Sequence, residues 1–434
     1  MITFILFFMF LAAGYIFYSR FIEKVFGADN RPTPLGTNSD GVDFIPMTTW
    51  KIFLIQLLNI AGTGPIFGAL SGALFGPVVY IWIVLGGIFA GAVHDYMSGM
   101  LSMRNNGVSL LEIYGKYFGK TVQNIVGIVM VVILIMIGSL FSRSPAELLS
   151  MITPDRFGIT FWMTVIICYY FMATFLPVDK IIGKIYPLFG ICPIVMATGI
   201  SYYMLFSGNV HMPELWDNFE NLHPQKVPIY PFMFITVACG AISGFHATQS
   251  PIMVRCCRTE KECRHIFYGA MITESLIALV WAAAGISFYE DSQALLAAGG
   301  GCSAVVYHIC QTSFGKIGCV LALLGVVFCP ISSGDTAYRA IRLIIADRFK
   351  IDQKDWKKRL CITVSIITAG TLLCYVEFAV LWRYFAWVNQ ILGTLTLWAS
   401  TVYLRLEKKN YFVTMLPAIF MTIIVCGYAV MQFF

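Results

Sequence analysis

Five ionisable residues interrupt stretches of the sequence that are otherwise apolar: His94, Asp95, His246, Glu274 and Asp335. A carboxylate or an imidazole in such surroundings is costly, and it commonly binds an ion, relays a proton or pairs with another charge. The residue types therefore indicate chemistry with protons or cations. A bracing role is the alternative for Asp95 and Glu274, and pairing with an arginine on the cytoplasmic side is a second alternative for Asp95.

The sequence around Asp335 is rich in side-chain oxygens. Hydroxyl groups from Ser332, Ser333 and Thr336 accompany the carboxylate. Oxygen ligands suit a hard cation such as Na⁺, and the same groups suit a proton relay. The alternative is an ion pair between Asp335 and Arg339, four residues later on one helix.

Two apolar stretches contain Gly and Pro where a regular helix would need neither. The first break is Asn59 to Ile66 and the second is Gly240 to Pro251. Freed backbone groups inside a membrane are tolerated where they are buried in protein or line a cavity, and paired breaks indicate a transport site. The alternative is a pair of packing kinks. The predicted substrate contacts are Ala61, Gly62, Thr63, Gly64, Gly244, His246, Gln249 and Ser250.

The composition supports placing these residues in a membrane. Of 434 residues, 58% are hydrophobic and 12% are charged, whereas soluble domains carry about 25% charged residues. This excludes a soluble enzyme, a disordered chain and a nucleic-acid binder. Apolar runs of about 20 residues predict twelve spanning helices, at 2–19, 52–72, 77–103, 121–141, 159–177, 185–207, 230–254, 265–289, 316–346, 359–376, 379–404 and 411–433.

The basic residues concentrate in alternate loops. By the positive-inside rule those loops are cytoplasmic, which predicts a multi-pass protein of the bacterial inner membrane with both termini outside. The predicted divisions are a leading helix with a cytoplasmic linker (1–47), a five-helix unit (48–207), an extracytoplasmic loop (208–229), a second five-helix unit (230–404) and a trailing helix (405–434).

Four collinear matches indicate an internal repeat. The offsets between the two copies lie between 182 and 196 residues. Because five spans separate equivalent points, the second copy enters the membrane in the opposite direction. This is the inverted repeat of many secondary transporters. The matching stretches are 60–66 with 242–252, 107–109 with 301–303, 117–120 with 313–316, and 155–159 with 347–351.

The thirteen cysteines and the loops give weaker signals. Cys256, Cys257, Cys263 and His265 cluster in one loop, but their spacing does not match a zinc site. Cys302 and Cys310 form a candidate disulfide in an oxidising compartment. No phosphate-binding Gly-rich loop is present, so ATP hydrolysis and an ATPase subunit are not expected.

Several motifs together resemble the carbon starvation protein family (CstA), over about residues 15 to 404. They are the run 40–46, the first break, the stretch 89–95, Ser102-Met103-Arg104, Ser243-Gly244-Phe245-His246 and Ser333-Gly334-Asp335-Thr336. The resemblance implies an all-helical transporter of the LeuT/APC type, associated with uptake of peptides and pyruvate. The chain is similar to a short form of this family.

Taken together, these features predict a cation-coupled secondary transporter that imports peptides or a small carboxylate such as pyruvate. His246 is expected to donate to the substrate. Asp95, His94 and Glu274 are expected to relay protons, and the Asp335 group is expected to hold the coupling H⁺ or Na⁺. No cofactor and no catalytic activity are expected. A channel and a membrane redox protein are the alternatives; the latter needs axial His pairs on facing helices.

Overall fold

The computed structural model describes residues 1–37, 44–173, 186–299, 303–351 and 355–433. Within these ranges the chain is helical and contains no strand. The first half comprises α1 (Ile2–Phe26), α2 (Thr49–Ile60), α3 (Gly64–Ala73), α4 (Val79–Arg104), α5 (Leu110–Phe118), α6 (Lys120–Ile152), α7 (Ile159–Ala173) and α8 (Cys192–Phe206).

The second half begins with a helical turn, Ile229–Met233, that continues directly into α9 (Phe234–Thr236). The remaining helices are α10 (His246–Val254), α11 (Arg264–Ser287), α12 (Ser292–Ala297), α13 (Ser303–Phe349), α14 (Trp356–Leu373), α15 (Phe378–Leu406) and α16 (Phe412–Phe433). Large apolar side chains such as Phe17, Ile128 and Phe206 are exposed. An exposed apolar surface of this kind is what a lipid-embedded protein presents.

Every predicted apolar run contains helix in the described residues. Among those residues, seven helices are long and apolar enough to cross a bilayer, and the bent pair of α2 and α3 makes eight. Among the other four runs, α7 has 15 residues and the run at 230–254 is split into short pieces. A multi-span architecture is therefore established, whereas the count of twelve stays a prediction.

Two helices extend beyond their predicted ends. The leading helix was expected to stop at residue 19, but α1 continues to Phe26, whose ring packs on Tyr96 and Tyr403. Similarly, α6 passes residue 141, and the cation that follows, Arg143, is neutralised inside the helix. Arg143 pairs with Glu147 at 3.1 Å and donates to the Val376 carbonyl at 2.7 Å.

The two halves repeat one local pattern. In the first half, α5 ends at Gly119, whose φ is 88°, and α6 follows at once. In the second half, α13 contains the equivalent bend at Gly315, whose φ is 65°. Positive φ is easily reached by glycine alone, so both copies need this residue at the junction. The long helices that follow the two glycines pack against each other.

Candidate functional site

The first break separates α2 from α3 by three residues, Ala61 to Thr63, and bends the pair by 56°. After the break, α3 has Pro65 in its first turn, where proline is tolerated because no intrahelical donor is needed. Gly62 and Gly64, the two glycines of this segment, have no room for a side chain. A Cβ on Gly62 would lie 2.7 Å from the Phe141 ring, and one on Gly64 would overlap Cys239.

The second break is displaced from its predicted position. Helical structure ends at Thr236 and resumes at His246. The predicted contacts Gln249 and Ser250 therefore lie on α10 instead of in the break. Gly240, whose φ is 90°, is the residue that turns the chain, whereas Pro251 is accommodated within the helix.

Asn389 on α15 forms hydrogen bonds with the non-helical backbone of the second break. Its side-chain oxygen accepts from the Phe245 amide at 2.7 Å, and its side-chain amide donates to Ser243 Oγ at 2.8 Å. Its main-chain carbonyl accepts from the Gly244 amide at 3.2 Å. Because the helix ladder is missing here, these bonds replace it. The sequence analysis did not identify Asn389, which lies about 145 residues further along the chain.

The two breaks meet where Gly64 abuts Cys239, and both are closed to solvent. Ala61, Thr63 and Gly244 are buried. The Thr63 hydroxyl and the Gln249 carbonyl oxygen have no hydrogen-bond partner among the described residues. Ser250 donates to the His246 carbonyl at 3.1 Å.

Asp95 lies at the centre of a fully buried network that joins α4 to α10. His94 Nδ1 lies 2.7 Å from its Oδ1, and His246 Nδ1 lies 2.9 Å from its Oδ2. Ser98 and Ser250 join the same helices through a 2.9 Å hydrogen bond. A carboxylate only accepts, so an ionised Asp95 fixes the proton on Nδ1 of both rings. The predicted proton-relay residues His94 and Asp95 are thus brought together with His246.

The opposite side of the His246 ring faces α11. Its Nε2 lies 3.4 Å from Glu274 Oε2, and both groups are completely buried. The Gly240 backbone is another polar neighbour of this carboxylate. In this conformation both ring nitrogens of His246 face carboxylates, so the ring joins the buried network, and its role as a donor to substrate stays a prediction.

Asp335 has different partners. Tyr186 donates to its Oδ2 at 3.0 Å, and Arg339 lies 3.5 Å from the same oxygen, as the i,i+4 alternative predicts. Ser333 donates to the Asn59 carbonyl at 3.0 Å, which brings α13 onto the end of α2. Ser332 and Thr336 donate to carbonyls of α13 itself.

A separate ion-pair cluster lies at the end of α4. Arg104 binds buried Glu260 at 2.5 and 2.7 Å and lies 3.7 Å from Asp29. Hydrogen bonds from Arg31 hold the pKa of the Asp29 carboxyl well below its ordinary value. Because Arg104 is engaged here, the alternative in which it pairs with Asp95 is wrong. Glu260 carried no sequence signal that set it apart from a loop residue.

The cysteine-rich loop does not assemble a metal site in the described residues. His265 is bonded to Tyr15 at 2.7 Å and to Arg264 at 3.0 Å. A hydrogen bond with Cys263, together with burial, raises the pKa of the Cys257 thiol well above its ordinary value. The proposed partner of Cys310, Cys302, lies outside the described residues.

Two cavities lie away from the breaks. One of about 470 Å³ is bordered by Met204, His211 and Glu214, and one of about 350 Å³ by Gly76, Leu222 and Glu290. Both border the loop between α8 and α9, which the positive-inside rule places outside.

Sequence relatives include named transporters. The chain is 44% identical over 344 residues to an "uncharacterized membrane protein" of Haemophilus influenzae, a match that covers 68% of this chain and 93% of that one. It is 28% identical over 330 residues to the pyruvate/proton symporter BtsT of Escherichia coli, and 29% over 335 residues to the peptide transporter CstA of Campylobacter jejuni. Both matches cover 62% of this chain. They cover only 46% of BtsT and 47% of the Campylobacter jejuni CstA. The chain thus spans about half the length of the named transporters.

Solved structures confirm the predicted LeuT-type fold. The structure of MhsT in complex with L-phenylalanine aligns with a TM-score of 0.63 at 12% identity, over 88% of this chain and 98% of that one. The Eremococcus coleocola manganese transporter aligns with a TM-score of 0.61 at 11% identity, over 91% of both chains. The named relatives and these structures are transporters and not enzymes, as the sequence predicted.

The motifs in the two breaks and around Asp95 and Asp335 thus belong to a pattern that extends along the whole polypeptide. The sequence model of the family described as "Carbon starvation protein CstA" matches this chain over residues 1–155, 121–300 and 290–427. The chain is a member of the carbon starvation protein CstA family.

Proposed function

We propose that this chain is a cation-coupled secondary transporter that imports peptides or a small carboxylate such as pyruvate by alternating access across the bacterial inner membrane. The observation that carries the proposal is the meeting of two backbone breaks inside the protein, at Gly64 and Cys239, beside a buried charged network. Paired broken helices of this kind hold substrate in transporters with repeated halves.

The proposed substrate contacts are the breaks themselves. Ala61 to Thr63 and Gly244 offer backbone groups that lie outside a regular helix, Gly64 offers the first amide of α3, and Thr63 and Gln249 each retain an unpaired oxygen. The amide ends of α3 and α10 carry partial positive charge, which suits a carboxylate on either substrate. Closing both breaks from solvent, as here, is one step of an alternating-access cycle.

Two groups are proposed for the coupling cation. The first group is the buried network of His94, Asp95, His246 and Glu274, whose side chains can all exchange protons. Each contact in the network, from His94 to Asp95, from Asp95 to His246 and from His246 to Glu274, is 3.4 Å or shorter. The alternative, a Na⁺ site, lies at Ser332, Ser333, Asp335 and Thr336. The Asp335 carboxylate already accepts from Tyr186 and pairs with Arg339, which reduces the negative charge left for Na⁺ and favours the proton.

The test is uptake of labelled pyruvate and of a labelled dipeptide into proteoliposomes that contain the purified chain. A proton gradient and a Na⁺ gradient are imposed separately. We expect accumulation above equilibrium under the proton gradient alone. Uptake that only equilibrates would indicate a channel, and accumulation under Na⁺ alone would move the coupling site to Ser333 and Asp335. No uptake of either substrate by folded protein would refute the proposed substrates.

A further inference from the structure

A second type of ligand fits the end of the network beyond His246. Cys239 Sγ, one ring nitrogen of His246 and a carboxylate oxygen of Glu274 lie within 4.8 Å of one another, and all three residues are buried. Zinc ligands at about 2.0–2.3 Å from a tetrahedral ion are about 3.3–3.8 Å apart. The 3.4 Å between His246 and Glu274 already meets this spacing, so Cys239 has the largest remaining distance to close.

His246 is prepared as a ligand by its other nitrogen. Asp95 occupies Nδ1, so Nε2, which lies 3.4 Å from Glu274 and has no hydrogen-bond partner among the described residues, is the nitrogen that can bind a metal once it carries no proton. A carboxylate behind a histidine fixes the ring orientation and makes the ligating nitrogen more basic in many metal sites. His94, bonded to the same carboxylate, is a further part of this support.

The charge balance also favours a divalent ion. A thiolate and a carboxylate contribute two negative charges and the imidazole contributes none, so one divalent cation neutralises the site. Burying an unpaired carboxylate in a low-dielectric interior is costly. Binding releases the thiol proton of Cys239 and the proton that His246 Nε2 and Glu274 otherwise share to solvent, and it forms one sulfur, one nitrogen and one oxygen bond to the metal.

We propose that Cys239, His246 and Glu274 bind one transition-metal ion of the Zn²⁺ class, with a fourth coordination position left for water or another ligand. Thiolate and imidazole ligands favour zinc and its neighbours over Mg²⁺ or Ca²⁺. The sequence predicted no cofactor, since Cys239 lies in an apolar stretch and its partners follow at positions 246 and 274. The inference does not depend on which substrate is transported, but it uses two residues of the proposed proton relay, so a chain with Zn²⁺ bound would not pass protons between His246 and Glu274.

The test is metal binding by the purified full-length chain in detergent, with Zn²⁺ and Co²⁺ as the probes. We expect one Zn²⁺ per chain after dialysis, and a thiolate-to-cobalt charge-transfer band with Co²⁺. Cys239→Ser is expected to remove the band and to weaken Zn²⁺ binding by at least about tenfold. Cys257→Ser, equally buried but in the cytoplasmic loop, is the matched control and is expected to bind like the parent chain.

Three results would overturn the proposal. They are absence of Zn²⁺ binding by the parent chain, unchanged binding by Cys239→Ser, and loss of binding in Cys257→Ser alone. If Cys239→Ser does not fold, Glu274→Gln provides the second variant. It is expected to retain the charge-transfer band and to lower the affinity for Zn²⁺, and an unchanged affinity would contradict the site.

Discussion

Asp95 and Asp335 are both completely buried carboxylates, yet their partners differ in kind. Asp95 is held by two imidazoles at 2.7 and 2.9 Å. Asp335 is held by a phenol at 3.0 Å and a guanidinium at 3.5 Å. An imidazole gains and loses its charge near neutral pH, whereas a guanidinium keeps its charge.

From this difference we infer different tasks for the two regions. A carboxylate beside imidazoles can exchange a proton or support a metal ligand, because its neighbours can change charge with it. A carboxylate beside a permanent cation is better suited to hold α13 in place against the first break, where Ser333 contacts the end of α2. The predictions below test this division.

The largest effect is expected for Asp95→Asn. The amide retains the size of the side chain but cannot take up or release a proton, so we expect accumulation in proteoliposomes to be abolished while the protein remains folded. Asp355→Asn serves as the control, because Asp355 lies at the start of α14, where it accepts from the Lys357 and Lys358 amides and lies 3.7 Å from the Lys358 ammonium, and none of its described contacts reaches the Asp95 network. Normal accumulation by Asp95→Asn would remove this carboxylate from the coupling mechanism and would contradict the proposed difference in role between Asp95 and Asp335.

Arg339→Gln is expected to lower the free energy of unfolding by about 3–5 kcal/mol, because it leaves the buried Asp335 carboxylate without its cation. The measurement is a denaturant titration of the purified protein. The double variant Asp335→Asn with Arg339→Gln removes both charges, and it should recover a large part of the loss. An additive loss in the double variant would show that the two residues do not act as a pair.

Tyr186→Phe removes the hydrogen bond to Asp335 and is expected to cost about 1.5–3 kcal/mol, the usual range for a bond to a charged group. Accumulation should be reduced far less than in Asp95→Asn. Tyr202→Phe is the control, since Tyr202 is 67% exposed. If Tyr186→Phe abolished accumulation without loss of stability, Asp335 would belong with the coupling groups.

The smallest effect is expected for Ser333→Ala, which loses the bond to the Asn59 carbonyl. We expect the free energy of unfolding to fall by about 0.5–1.5 kcal/mol, with Ser365→Ala, on the exposed side of α14, as the comparison. The accompanying uptake assay decides between the two cation sites. A loss of Na⁺-driven accumulation in Ser333→Ala would place the coupling ion at this end of the protein.

The sequence predicted the features that depend on residue type within one segment. The length of the apolar runs predicted where the helices lie, and Gly62, Gly64 and Pro65 predicted the first break. The second break was placed too far along the chain, because Pro251 suggested an interruption, whereas the backbone leaves the helix at Val237 and turns at Gly240. Proline inside a helix removes one hydrogen bond and can be accommodated, whereas glycine easily adopts the positive φ that a turn requires.

Pairings between distant segments could not be predicted. The partners of Asp95 on α10, of Arg104 at Glu260 and of the Phe245 amide at Asn389 are separated from them by 144 to 156 residues. The side-chain types alone allow many such pairings. Only the packing of α4, α10, α11 and α15 selects the ones that form, and this packing also brings Cys239 into the group.

The dependence of the second break on Asn389 has a consequence for biosynthesis. The Phe245 amide is made 144 residues before the oxygen that satisfies it. At about 5–20 residues per second of synthesis, Asn389 is added about 7–29 s after Phe245, and until then the Phe245 amide lacks this hydrogen-bond acceptor. During this interval the exposed amides cannot face lipid. The nascent chain must therefore keep them within the insertion machinery or against earlier helices until α15 arrives.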